Sequence, residues 1–233
     1  MTLLRNAGFP TRFFLEDIMP KKTIFFFDAN NWYHNVKKYH NPSEIDIQKL
    51  VNFFCKIKDY ELIETRWYAS VPSISDGSDM YYRHVSYLED LEKKGIKTIR
   101  RKLQKLSNKE ILKRKQEIIN NLDLCENCEK LVEAHFLDLA DIKRKEKGID
   151  VWIGVDMLNL SIIENKCDVC VLLSGDADFV PALEIVKNKG KEVLTAMTAL
   201  GYSKELIEKF PFFIIKNETL LRCLKDYPGR TIK

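Results

Sequence analysis

The chain has 233 residues, 45% of them hydrophobic and 31% charged, which fits one medium soluble domain with a sizeable core. A net charge of +4, from 38 basic and 34 acidic residues, is too small to argue for a nucleic-acid or membrane-surface partner by itself. No apolar run approaches the roughly 20 residues of a membrane span, the first 22 residues lack the apolar stretch of a signal peptide, and six cysteines read as reduced thiols of a cytoplasmic protein.

Residues 1–18 show no clear periodicity; an N-terminal extension over 1–20 is expected, the alternative being that the chain truly begins at Met19. Thr23–Asp28 (TIFFFD) is a short apolar run ending in an acid, the pattern of a strand buried on both faces. Ser43 and Asp46 predict the start of a helix near 44–58. Glu64–Val71 reads as a second strand stopped by Pro72, Met80–Lys94 as a helix ended by Gly95, and Ile96–Arg100 as a third strand.

Between 97 and 115 the chain carries nine Lys or Arg against one Glu. A helix is expected over about 108–121, inside a basic, cysteine-containing insertion at about 102–147. Gly148 then opens an apolar helix over Val151–Glu164. A strand over Asp168–Ser174, a helix over Val180–Asn188, a strand over Glu192–Met197 and a helix over Lys204–Lys209 follow. A strand over Phe212–Lys216 and a helix over Glu218–Tyr227 close the chain. Strands alternating with helices predict an α/β fold with a mainly parallel central sheet covered on both faces, in a single domain over 21–233.

In open sheets of this kind ligands bind beyond the carboxyl ends of the strands. Two strands end there in acids: one runs into Asp28-Ala29-Asn30-Asn31, the other into Ser174-Gly175-Asp176-Ala177-Asp178. Asp156 lies within the apolar helix, where an ionised side chain needs a partner or a metal. If the two strands are neighbours, Asp28, Asp176 and Asp178 converge and Asp156 reaches them from the helix. Clustered carboxylates with no histidine nearby suit Mg²⁺ or Mn²⁺, and such a site supports attack of a metal-activated water on phosphorus. The plainer reading is that Asp28, Asp176 or Asp178 caps a helix, and that Asp150 is an N-cap; caps alone need fewer acids than the chain supplies.

Three stretches, FFFDANNW (25–32), KGIDVWIGVDM (147–157) and VLLSGDADFVPAL (171–183), together resemble the NYN domain family of the PIN-like nucleases, and most closely its LabA-like branch. The resemblance covers about residues 23–216. It implies a PIN-like three-layer fold and a metal-dependent ribonuclease whose metal-binding and catalytic acids are Asp28, Asp156, Asp176 and Asp178. Asn31, Asp150 and Ser174 fall in supporting positions of the motifs. Ala29 departs from the family's usual glycine. The activity implied is endoribonucleolytic hydrolysis of phosphodiester bonds in single-stranded RNA; the alternative is a catalytically weak or inactive RNA-binding, regulatory module on the same fold. A haloacid-dehalogenase-type phosphatase is disfavoured because position 30 is Asn, and a dinucleotide enzyme because no G-x-G-x-x-G follows a strand.

On the substrate side, Arg100, Arg101, Lys102, Lys105, Lys113 and Arg114 are candidate phosphate contacts, and Trp32, with Tyr33 and His34, a candidate stack for unpaired bases. Cys125 and Cys128 form half of a zinc site with His135 a possible third ligand, so a structural Zn²⁺ is an option in the insertion. Cys167 and Cys170 share the spacing, but their place at a strand predicts burial. A homodimer is compatible with the sequence, and no protein partner is indicated.

Overall fold

The computed structural model describes residues 19–74, 77–102, 104–105, 109–134, 144–145 and 148–226. Six strands form one all-parallel sheet: β1 (Lys21–Asp28), β2 (Tyr60–Val71), β3 (Lys97–Lys102), β6 (Val169–Leu173), β7 (Glu192–Thr198) and β8 (Phe212–Ile215), in the spatial order β3-β2-β1-β6-β7-β8. The chain builds outward from β1 to β3, then returns to lay β6 against the other side of β1. That reversal is the crevice where open α/β sheets place their ligands.

The strand β1 shows why the sheet is buried on both sides. Phe25 and Phe27 point to one face and Ile24 and Phe26 to the other, all fully buried, as the period of two demands. The first face is covered by α1 (Ala29–Val36), α2 (Ile47–Lys58), α3 (Ser78–Lys93) and α9 (Asn217–Arg222), through Trp32, Leu50, Phe54, Leu88 and Leu220. The second is covered by α6 (Ile149–Leu158), α7 (Val180–Asn188) and α8 (Lys204–Lys209), through Ile153, Met157, Leu183 and Leu206. Each fully buried large side chain contributes about 1.5–3 kcal/mol.

Local chemistry sets the boundaries. Asp46 is the N-cap of α2, accepting from the amides of Gln48 (2.9 Å) and Lys49 (3.2 Å), and Asp59 ends the helix in the left-handed region. The expected Ser43–Asp46 capping box is therefore Asp46 alone; Ser43 sits in a 3₁₀ turn over Pro42–Glu44 capped by Asn41. The helix α6 begins at Ile149 after a left-handed Gly148 and continues as one π turn over Asn159–Ile163. The short helix α1 follows the first acid directly, as the plainer reading of Asp28 as a cap expects, and it is held by that cap, by Asn31 and by Trp32 packing on Phe27.

Within the expected insertion the described residues form α4 (Lys109–Asn120), α5 (Glu126–Val132) and a two-stranded antiparallel ribbon, β4 (Gln104–Lys105) with β5 (Arg144–Lys145). The N-terminal extension to residue 18 and the end of the expected closing helix, Tyr227, lie outside the described residues. Among the described residues no helix is long and apolar enough to cross a membrane.

Candidate active site

The site is built at the carboxyl ends of β1 and β6. These strands run parallel with Phe27 opposite Leu173, so the next residue on each, Asp28 and Ser174, leave the sheet side by side. Both are buried, and Ser174 Oγ donates to Asp28 Oδ2 at 3.0 Å. The same hydroxyl accepts from the amide of Asp176 (3.3 Å), which ties the second acidic loop to the first acid. The other carboxylate oxygen, Asp28 Oδ1, accepts from the Asn31 amide at 3.1 Å and so also caps α1.

Asn31 works through its side chain as well. Its Oδ1 accepts from the amide of Gly175 (3.0 Å) and from Asn35 Nδ2 (2.8 Å), locking α1 to the loop after β6. Gly175 is required there: a Cβ would meet Gly201 O at 2.2 Å, because the 199–203 loop lies directly on it and Ser203 N donates to Gly175 O. Asp176 Oδ1 accepts from the Asp178 amide at 3.1 Å and caps the short turn over Ala177–Phe179; Asp178 itself is exposed.

Asp150 stands in the first turn of α6 and makes no cap hydrogen bond for it. Its carboxyl is pushed above the usual carboxylate range by burial first, then by the negative charges of Asp28, Asp176 and Asp178. Four acids from three elements therefore share one field. The structure places Asp150 in that group, where the helix N-terminal dipole also favours anionic charge.

Asp156, expected to reach the same pocket, has its Oδ2 held from β2, where Arg66 Nη1 donates to it at 2.6 Å and Tyr68 OH at 2.7 Å. Helical phase sets the two acids apart: six residues along a helix mean about 9 Å of rise and about 120° of rotation, so Asp150 and Asp156 leave α6 on different sides. Burial first, and then the Asp156 carboxylate, push the Tyr68 hydroxyl far above its ordinary range, so the phenol stays a donor.

The donor set around Asp28 is oxygen only, and its excess of negative charge fits a hard divalent cation. Among the described residues, however, no three His, Cys, Asp or Glu side chains are gathered in a ready coordination sphere. The charge pattern matches such an ion better than the present spacing does.

The substrate-side candidates divide. Trp32 is buried, 4% exposed, and packs edge-on against Phe27 at 5.6 Å, so it is core and cannot stack on a base; Tyr33 beside it is 46% exposed. Arg100 is engaged by Glu92 (2.8 Å) and Thr98, and Arg101 lies over the Trp152 ring at 5.0 Å, against the α6 start. Lys102 ends β3 and is exposed, as are Lys113 and Arg114 on α4; Lys105 belongs to the ribbon strand β4. Cys125 and Cys128 are exposed at the start of α5, and the Cys125 thiol is pulled down by the Cys128 amide and then by its thiol. His135 lies outside the described residues, and no third ligand joins the pair among the described ones. Cys167 and Cys170 are buried with sulfurs 3.9 Å apart, as their strand position predicts.

The NYN domain matches this chain over residues 22–217. A solved structure of a protein of unknown function from Vibrio parahaemolyticus RIMD 2210633 is similar at 16% identity and a TM-score of 0.49, over 84% of this chain and 93% of that one. No curated protein matches.

Proposed function

Because this chain belongs to the NYN domain family, a nuclease-type domain, we propose that it is a metal-dependent endoribonuclease acting on single-stranded RNA. The observation that carries the reading is the joining of the two acidic strand ends at the reversal point of the sheet, where the Ser174 hydroxyl donates to Asp28 and accepts from the Asp176 amide. In this reading Asp28, Asp176, Asp178 and Asp150 hold the ion, and Asp156 positions α6 through Arg66 and Tyr68. Mg²⁺ or Mn²⁺, when bound, would neutralise the carboxylates, lower the pKa of a water for in-line attack at phosphorus and stabilise the leaving oxygen.

The chain's own residues supply the rest. Ser174 and the Asn31 amide each hold one oxygen of Asp28, which fixes the orientation of this carboxylate. The Asp178 amide holds one oxygen of Asp176, Oδ1. Burial of Asp28 limits competing water. Lys113 and Arg114 on α4, together with Lys102, are suited to hold the phosphate backbone.

The test is cleavage of labelled single-stranded RNA with Mn²⁺ or Mg²⁺, repeated with EDTA and with Asp176→Asn. Cleavage abolished by both supports the reading. Cleavage surviving both would mark a contaminant, and tight RNA binding without cleavage under any condition would replace the enzyme by an RNA-binding module on the same fold.

A further inference from the structure

Beside the acids, on the opposite face of the sheet from α6, lies a cleft of about 690 Å³ between α1, the end of β2 and α3. Ala29 and Asn30, the residues directly after Asp28, form its near wall, so the cleft and the acidic loop share a border. Its walls are mainly aromatic and apolar, from Trp32, Tyr33, Trp67, Met80 and Tyr87, with Arg83 as its cation.

The polar groups of this cleft are unusual. Among the described residues, four buried side-chain polar atoms have no hydrogen-bond partner, and three of them belong to residues lining it: Trp32 Nε1, Ser70 Oγ and His84 Nε2. Each such atom costs about 1–3 kcal/mol unless something satisfies it. Trp32 offers a donor only, Ser70 either role, and His84 either role as a neutral imidazole. Burial, and then the charge of Arg100, hold His84 below the ordinary histidine range, which keeps that imidazole neutral. In this cleft the three atoms are closed off from solvent, so a ligand meets them only if the side chains turn; the aromatic walls and the half-exposed ring of Tyr33 are what suit a planar heteroaromatic, which can stack there.

We propose that this cleft receives one unpaired nucleobase of the strand whose backbone lies at the acidic edge. Locating the backbone there rests on the nuclease reading; base binding in the cleft does not. Base–aromatic stacking with edge hydrogen bonds makes the base worth about tenfold or more in affinity.

The experiment measures fluorescence anisotropy of a labelled ten-nucleotide adenosine RNA and of an abasic strand of equal length, both in EDTA so that no cleavage intervenes. The wild-type protein is expected to bind the base-bearing strand at least tenfold more tightly. Tyr33→Ala and His84→Leu should each shrink that ratio severalfold, whereas Lys189→Gln, exposed at the end of α7 on the other face of the sheet, should leave it unchanged. Tyr33 is half exposed, so its variant keeps the fold, to be checked by thermal melting. Equal binding of the two strands, or a ratio indifferent to both cleft variants, overturns the proposal and leaves the cleft to a side chain of a protein partner. A preserved ratio in a protein that never cleaves RNA would sink the nuclease reading alone.

Discussion

Arg66 and Asp156 are joined by a 2.6 Å ion pair across the second face of the sheet, with the guanidinium side chain only 8% exposed and also bound to Glu64. Removing one partner of such a pair leaves a charge in a poor environment, at a cost of about 2–4 kcal/mol. Asp156→Ala should therefore lower stability by that amount in denaturant titration. Asp150→Asn should do the opposite: by removing a repelled carboxylate it raises the melting temperature in EDTA, yet it lowers RNA cleavage about 100-fold. If Asp156→Ala were fully stable but lost its response to Mn²⁺, the assignment of roles along α6 would be reversed.

Gly175→Ala is expected to cost about 2 kcal/mol or more, because the added methyl runs into backbone at Gly201 rather than into a flexible side chain. The loop must shift, and Asp176 moves with it. Asn31→Ala should show a milder version, since it removes the acceptor of the Gly175 amide. Both are read by thermal melting together with RNA cleavage; a Gly175→Ala protein with unchanged melting would contradict the described contact.

Asp46 should make stability fall in acid. Burial opposes its ionisation, but Lys94 at 2.7 Å and the amides of Lys49 and Gln48 outweigh it and hold the carboxyl below the ordinary aspartate range. A lowered folded-state pKa stabilises the fold above the unfolded value of about 4, and that share is lost as pH falls through the folded value. Asp46→Ala should cost about 1–2 kcal/mol at pH 7 and much less at pH 3, by urea titration at each pH. An equal cost at both would rule out the ionic part of the cap.

Lys113→Glu with Arg114→Glu should weaken RNA binding for every sequence alike and lower the dependence of log affinity on log salt by about 2. Anisotropy at several salt concentrations measures this. An unchanged slope would place the RNA backbone elsewhere.

Much of the architecture was legible in the amino-acid order because it is encoded locally. The helices at Val180–Asn188 and Lys204–Lys209 have the predicted boundaries, and the alternating Ile24–Phe27 run is buried on both sides as its period demands. The acids at the ends of β1 and β6 could be named in advance because both strands stop there and turn. What the sequence could not carry was phase and neighbourhood. VDM and GID look alike as acidic slots on one helix, and only the sheet beneath decides that Asp150 joins the acidic field while Arg66 and Tyr68 claim Asp156. Trp32 likewise looked available until Phe27 covered it. Periodicity and turn chemistry act over a few residues and are written in the chain. Which side chain meets which charge depends on rotation about a helix and on strands 88 to 146 residues away, so the tertiary structure alone sets it.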